Sequence, residues 1–79
     1  MSQALNYRHL YYFWAVCKEG GVSRAAERLG MAAQTVSAQV RELEHSLGCA
    51  LLRPAGRGLA MTEAGGAVLR QAEQIFQLG

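Results

Sequence analysis

The sequence has little proline, little cysteine and no long apolar run. Its single proline, Pro54, leaves most of the chain able to form uninterrupted helices, because proline is the residue that most disrupts a helix interior. The longest apolar run, residues 10–17, is far shorter than the ~20 residues that a membrane-spanning helix needs. The sequence therefore predicts a cytoplasmic protein with no membrane contact.

The two cysteines, Cys17 and Cys49, are too few for a disulfide framework. Each lies among apolar residues, so both are predicted to be core thiols of a protein in a reducing compartment. Together with His9 and His45 they could be considered as zinc ligands, but their spacing matches no zinc-finger pattern. We therefore expect no metal, no cofactor and no catalytic site.

Charge of either sign is also scarce. The 79 residues include 8 basic and 6 acidic side chains, for a net charge of +2, which is too small to indicate nucleic-acid binding by itself. The segment 49–61 is the exception, because it contains Arg53 and Arg57 and no acidic residue. The apolar content of 51% excludes a disordered chain, and the length predicts one domain.

The first part of the chain predicts one helix with apolar side chains on more than one side. Asn6 is a plausible N-cap, and Gly20 with Gly21 is expected to end the helix. Apolar residues recur at helical spacing along one face, at Leu10, Phe13, Trp14 and Cys17. Tyr11 and Tyr12 fall outside this stripe. The helix is therefore expected to be central in the fold or shared with a partner.

Two further helices follow, separated by a tight turn. Ser23 is expected to cap the second helix, and Gly30 to end it in the left-handed conformation. The third helix is expected over about 32–46. Ala26, Gly30 and Val36 are the residue types that a helix-turn-helix needs: a small residue where the helices cross, a glycine in the turn and an apolar residue in the angle. In that motif the second helix is offered to the major groove of DNA.

The outward face of the first half of the third helix lacks the lysine and glutamate that a solvated helix normally carries. Its first half, "AAQTVSAQ", carries small neutral side chains instead. Glutamine pairs well with adenine, threonine and serine hydrogen-bond to several bases, and alanine or a threonine methyl contacts thymine. This pattern predicts base reading, although the same residues could form an ordinary solvated surface.

The remainder predicts a β-hairpin and a last helix. Glycines on both sides of Arg57 favour a turn within residues 51–61, and Pro54 restricts the first strand to a sheet edge. Thr62 is expected to cap a helix that runs to the end of the chain. The residues expected on its core face are Val68, Ala72 and Ile75.

From Asn6 onward the chain combines three characteristic segments, "SRAAERLG", "VSAQVRELEHSLG" and "GRGLAMTEAG". In this combination it resembles the DNA-binding region of LysR-type bacterial transcriptional regulators. Within that family, "HLYYFW", "QTVSAQ" and "GRGL" are most similar to regulators of sodium/proton antiporter genes. The resemblance implies a mainly α, winged helix-turn-helix fold: a three-helix core, a two-stranded β wing and a C-terminal linker helix.

The resemblance also implies how the chain is organised. Residues 1–61 would be the DNA-binding domain, and residues 62–79 the start of a linker and dimerisation helix. The effector-binding domain of the family would be absent from this chain, which then resembles an isolated module. A small-molecule or ion effector would act only through that missing domain.

Site residues follow from the matching motif positions. The base-reading face would comprise Ala33, Gln34, Ser37 and Ala38, with Thr35 beside it. Phosphates would be bound by Ser23, Gln39 and Arg41, and Arg57 would be the wing residue. The chain departs from the family at Ala32, Ala33 and Gln34, where the family often has Ser-Gln-Pro, and at Ala38, where it often has arginine. Pro54 replaces a common wing arginine. These departures affect which bases are read and how tightly one subunit binds.

Several apolar residues are not needed to cover the core of a monomer. A two-fold homodimer would bury them, and the full-length protein could form a tetramer. The expected interface residues are Tyr11, Tyr12, Leu69, Phe76 and Leu78. The partners predicted from the sequence are thus a double-stranded DNA operator and a second copy of the chain. The competing prediction is a module that binds only other proteins, since winged helices can do so.

Overall fold

A computed structural model describes residues 7–56 and 58–76. In chain order the elements are α1 (Tyr7–Glu19), α2 (Val22–Leu29), α3 (Ala33–Leu47), β1 (Leu52–Ala55), β2 (Gly58–Met61) and α4 (Glu63–Phe76). The predicted order and type of the elements are confirmed. Asn6, Arg57 and Leu78 lie outside the described residues.

The core forms where α1 packs against α3. Leu10 and Phe13 of α1 are completely buried, as are Val36 and Leu43 of α3. These side chains lie on one face of each helix because their spacing follows the helical repeat. Leu51, in the connection after α3, closes the core and is also completely buried. None of the helices in 7–56 and 58–76 is both long and apolar enough to cross a membrane.

The turn between α2 and α3 has the predicted helix-turn-helix features. Gly30 adopts a left-handed conformation with φ 70°, which glycine accepts without steric cost. The N–H of Met31 donates to the carbonyl of Ala26 at 2.9 Å, which closes the end of the helix. Ala26 and Val36 are both buried. The turn is therefore tight, and α3 leaves it with its N-terminal half exposed.

Two local predictions are wrong. Ser23 does not cap α2: the helix begins one residue earlier, Gly21 is its N-cap, and no side chain bonds there. The reason is that the extended backbone of Gly21 already places its carbonyl to accept from the N–H of Ala25 at 3.1 Å. Cys49 is not a core thiol. It is exposed, because the left-handed Gly48 turns the chain away from the core.

The hairpin forms as predicted. Its strands pair antiparallel, with Leu52 opposite Met61 and Pro54 opposite Leu59. With only these two strands in the sheet, Pro54 occupies an edge strand, where its missing N–H is tolerated. Thr62 caps α4 as expected: its Oγ1 accepts from the N–H of Gly65 at 3.0 Å.

The inward face of α4 includes Val68 and Ala72 as predicted, but not Ile75. Ile75 is 41% exposed, whereas Leu69 and Phe76 are partly buried and pack against the core. The cause is the close approach of α4 to the connection after α3, where a Cβ on Gly65 would collide with the carbonyl of Leu51. Gly65 therefore faces inward, and the residues at helical spacing from it, Leu69, Ala72 and Phe76, face inward with it.

Candidate nucleic-acid interface

The exposed surface of α3 carries the small neutral residues of the sequence pattern. Ala33, Gln34, Thr35 and Ala38 are all exposed, and Ser37 is half-buried on the same side. The buried residues of this helix, Val36, Val40 and Leu43, form its opposite face. The structure therefore places the predicted reading residues together, on a surface without charge or bulky side chains.

The N terminus of α3 is open to an anion. Ala32 is its N-cap, no side chain bonds to the first turn, and that turn contains no acidic residue. Free N–H groups and the positive end of the helix dipole favour negative charge at such a position. This half of α3 can therefore approach a phosphate or a base acceptor without electrostatic opposition from its own first turn.

A shallow cleft separates α3 from the wing, which we define as residues 52–61. Ser37 and Arg41 line the cleft from α3, and Leu52 and Leu59 line it from the wing. Arg41 is exposed, and so is Leu59, by 42%. The guanidinium of Arg41 is therefore available to an anion that lies between the helix and the wing.

A second cleft lies between the start of α2 and the wing. It is lined by Gly21, Ser23 and Arg24 on one side and by Gly58 and Leu59 on the other. Ser23 and Arg24 are exposed. The sequence analysis missed Arg24 and Leu59 as possible contacts. The proximity of Arg24 to Ser23 could have indicated the first, but no local pattern indicates that Leu59 borders both clefts.

Gln39 is less accessible than the sequence suggested. The residue is half-buried, and its Oε1 is enclosed by protein without a hydrogen-bond partner. Only its amide NH₂ group is then available as a donor to a phosphate. Among the predicted phosphate contacts, Ser23 and Arg41 are therefore better exposed than Gln39.

Among the described residues of the wing, Arg53 carries the positive charge. Arg53 of β1 is exposed and lies opposite Ala60. The predicted wing residue, Arg57, lies outside the described residues.

At the base of the wing, the carboxylate of Glu44 accepts hydrogen bonds from the backbone N–H groups of Leu51 at 2.8 Å and Leu52 at 3.2 Å. The sequence analysis did not identify this contact, because it joins segments that form no continuous motif.

Of the expected dimer residues, Tyr11 and Phe76 lie where α1 meets α4. Tyr11 is 36% exposed, and its ring contacts that of Phe76 edge-on, with 5.3 Å between the centroids. Phe76 also contacts Trp14, at 5.5 Å, so it already has partners within the monomer. Beside these rings Lys18 pairs with Glu73 at 3.5 Å.

Cys17 of α1 is half-buried, and the pKa of its thiol is raised above the ordinary value. Burial, with a smaller contribution from the negative charge of Glu73, raises the pKa of its thiol to about 11. The thiol is therefore protonated and weakly nucleophilic at neutral pH.

Across 7–56 and 58–76, no group of three or more His, Cys, Asp or Glu side chains is placed to hold a metal ion.

Known proteins resemble this chain in sequence. Residues 7–66 match the family described as "Bacterial regulatory helix-turn-helix protein, lysR family". The chain is 49% identical, over 94% of its length, to the "Transcriptional activator protein NhaR" of Escherichia coli (strain K12), of which it covers 25%. It is 39% identical, over 95% of its length, to the "HTH-type transcriptional regulator TfdS" of Cupriavidus pinatubonensis, of which it also covers 25%. The chain thus spans about a quarter of the length of these curated relatives.

Solved structures resemble it in fold. The crystal structure of a CbnR_DBD-DNA complex superposes with a TM-score of 0.83 at 38% identity, covering 92% of this chain and 84% of the other. That of a BenM_DBD/benA site 1 DNA complex gives 0.84 at 33% identity, covering 91% and 84%. The fold is therefore a winged helix-turn-helix, with β1 and β2 as the wing. The relatives in sequence are transcriptional regulators and not enzymes. The chain belongs to the lysR family of bacterial regulatory helix-turn-helix proteins.

Proposed function

We propose that this chain binds double-stranded DNA in a sequence-specific manner, as the DNA-binding domain of a LysR-type transcriptional regulator. The observation that carries the proposal is the exposed, uncharged face of α3. Short neutral side chains of this kind can enter the major groove, where they donate to or accept from base edges or contact a thymine methyl. Two relatives of the same fold are described as complexes with DNA.

The recognition helix is α3, and its base contacts come from its N-terminal half. Gln34 is the strongest candidate for a specific contact, because its amide can bond twice to an adenine edge. Ser37 and Thr35 offer hydroxyl groups, and Ala33 and Ala38 offer methyl groups that can contact thymine. The exposure of these residues, with Ser37 half-buried, supports this arrangement.

The backbone contacts lie on both sides of α3. Ser23 at the start of α2 and Arg41 on α3 are exposed beside the two clefts, so they can reach phosphates. Gln39 contributes through its NH₂ group. The wing lies on the adjacent backbone or in the minor groove, where Arg53 and Arg57 supply positive charge.

We further propose that the chain acts as a homodimer built from α4 and α1. Exposed apolar side chains on these helices, including Tyr7, Tyr11 and Ile75, support an interface. Tyr12, Leu69, Phe76 and Leu78 remain proposed members, although Leu69 and Phe76 also serve the monomer core. A two-fold dimer would present two recognition helices to half-sites about one DNA turn, or a multiple of one turn, apart.

The wider role of the protein is also a proposal. Residues 62–79 would begin a linker toward an effector-binding domain, and the full-length protein could be tetrameric. A small-molecule or ion effector would bind in that domain, and regulation of sodium/proton antiporter genes remains a prediction from the motifs. The protein would act in the cytoplasm, on the bacterial chromosome.

Selection from a pool of random-sequence duplexes tests the proposal. The chain is expected to enrich one sequence pattern, with two-fold symmetry if it binds as a dimer. Its affinity for the enriched duplex should fall linearly with salt on logarithmic axes, as counterions are released from phosphates. A module that binds only proteins would enrich no sequence and would retain no duplex at low salt.

A further inference from the structure

Glu44 organises the connection between the recognition helix and the wing. Its Oε2 accepts hydrogen bonds from the N–H groups of Leu51 at 2.8 Å and Leu52 at 3.2 Å. Its main-chain carbonyl accepts from the N–H groups of Gly48 at 2.9 Å and Cys49 at 3.2 Å. One residue of α3 therefore binds the backbone at both ends of the connection, including the first residue of β1.

The other side of the wing base is joined to α4. The hydroxyl of Thr62 donates to the carbonyl of Ala50 at 2.7 Å, and its N–H donates to the carbonyl of Leu51 at 3.0 Å. The wing is thus anchored to α4 through Thr62 and to α3 through Glu44. A two-stranded hairpin is marginal by itself, so these anchors determine how the wing is oriented.

We propose that Glu44 is a positioning residue for DNA binding, which holds the wing in a fixed orientation relative to the reading face of α3. The proposal rests on the proposed function, in which α3 and the wing contact DNA together. A carboxylate that accepts two backbone N–H bonds makes charge-assisted contacts, which are stronger than neutral ones. A preorganised wing also avoids the entropic cost of being ordered when DNA binds.

Removing Glu44 changes the affinity for DNA in opposite directions, depending on whether Glu44 positions the wing or acts only through its negative charge. Glu44 lines the same cleft as Arg41, where a phosphate would lie. If Glu44 acted only through its negative charge, its removal would strengthen binding to DNA. If it positions the wing, its removal weakens binding. Glu42→Ala is the matched control, because Glu42 is an exposed acid on the same helix.

The first measurement needs no DNA. Backbone ¹⁵N order parameters are compared for the unmodified chain, Glu44→Gln and Glu44→Ala. We expect the wing to be rigid in the unmodified chain and in Glu44→Gln, whose amide oxygen can still accept. In Glu44→Ala the order parameters of the wing should fall below about 0.6, while those of α1 to α3 stay near 0.85. An unchanged wing, a wing already flexible in the unmodified chain, or an equal loss in all elements would each overturn the proposal.

Folding of the variants is checked by urea denaturation. Glu44→Met, which keeps a similar volume but accepts poorly, replaces Glu44→Ala if the alanine variant does not fold. If neither folds cooperatively, Glu44 has a purely structural role and the proposal is overturned.

The second measurement is a double-mutant cycle on a duplex obtained by the selection above. The wing variant combines Arg53→Ala with Arg57→Ala. We expect Glu44→Ala to weaken binding of the duplex about fivefold and Glu42→Ala to leave it unchanged. In the wing variant, Glu44→Ala should cause no further loss of affinity. The loss caused by Glu44→Ala should persist in a Gln34→Ala background. A Glu44→Ala loss of the same size in the wing variant would overturn the proposal.

The outcomes also separate this proposal from the proposed function. If no duplex is bound specifically, the proposed function is wrong, and the DNA-binding role of Glu44 is overturned with it. If the wing variant binds the duplex as tightly as the unmodified chain, the wing does not contact DNA. The proposed role of Glu44 is then overturned, while base reading by α3 stands. If the wing variant binds weakly and the cycle is additive, the proposed function stands and only the role of Glu44 is wrong.

Discussion

At the scale of single residues, the proposed binding surface consists of small, uncharged side chains. Ala33 and Ala38 present only methyl groups, and Gln34 and Thr35 add neutral polar groups, all of them exposed. Side chains of this size let the helix approach the base edges closely and still donate, accept or contact a thymine methyl. We therefore expect specificity to depend on a few hydrogen bonds, above all those of Gln34, whose amide can bond twice to an adenine edge.

Replacing Gln34 by alanine tests this point. We expect Gln34→Ala to weaken binding to the selected duplex by ~1–3 kcal/mol and to change binding to random duplex little, because a base contact is lost and the phosphate contacts remain. Fluorescence anisotropy on both duplexes measures the two losses. Ser46→Ala, at an exposed position near the other end of the same helix, is the control and should affect neither. Equal losses on both duplexes would mean that Gln34 does not read bases.

Cys17 gives a prediction about pH. Because burial and Glu73 raise the pKa of its thiol to about 11 from 9.0, the folded chain holds this proton more tightly than the unfolded chain. The resulting stability is complete below pH 9, and it is lost as the pH rises from 9 to about 11. Urea denaturation across this range should show a steeper decline for the native chain than for Cys17→Val. Parallel declines in the two proteins would contradict the raised pKa.

Single residues also show where sequence reasoning fails. Gly30 was predicted correctly because only glycine suits a left-handed turn between two helices. The predicted N-cap, Ser23, lies two residues after the observed one, because the preference of serine for N-caps cannot show that Gly21 already supplies the first helical carbonyl. The exposure of Cys49 depends on the direction in which the chain leaves Gly48, which residue type does not encode.

At the scale of elements, the packing of α4 is controlled by Gly65. Its Cα lies against the carbonyl of Leu51, and a Cβ there would collide with that backbone oxygen. The sequence predicted the helix and its Thr62 cap but not its rotation. Helical periodicity alone allowed either Ile75 or Phe76 to face the core, and the contact at Gly65 selects Phe76.

The neighbouring glycines of α4 provide a matched pair of substitutions. Gly65→Ala should destabilise the chain by ~1–3 kcal/mol, because α4 must move away from the backbone of Leu51. Gly66→Ala meets no atom within 4 Å, and it should stabilise the chain by ~0.5–1 kcal/mol through its helix propensity. Chemical denaturation measures both. If the two substitutions have the same sign, the close approach of α4 is not as described.

At the scale of the whole molecule, an apolar surface remains on the side where α4 passes α1 and the end of α3. Ile75 and Leu47 are both 41% exposed and border one groove, together with Leu10 and Val68. A small domain rarely leaves such a surface in water unless it contacts something. The proposed homodimer would cover part of it.

Sedimentation equilibrium over a wide concentration range tests the dimer. We expect reversible association of the native chain, weakened at least about tenfold by Ile75→Asp, because a charge buried at an apolar interface costs several kcal/mol. Ser46→Asp adds the same charge on an exposed position of α3 and should have no effect. The earlier candidates Leu69 and Phe76 are poor test sites, since their substitution would also damage the monomer core. A chain that stays monomeric at every concentration would contradict the interface.

The most direct test of the central claim is the ratio of two affinities. The chain is titrated, at one fixed salt concentration, against the selected duplex and against a scrambled duplex of the same length and base composition. Sequence-specific recognition predicts that the selected duplex is bound about 10³-fold more tightly or better, since both duplexes offer the same phosphates and only the base edges differ. Equal affinity for the two duplexes, or no binding to either, would contradict the account.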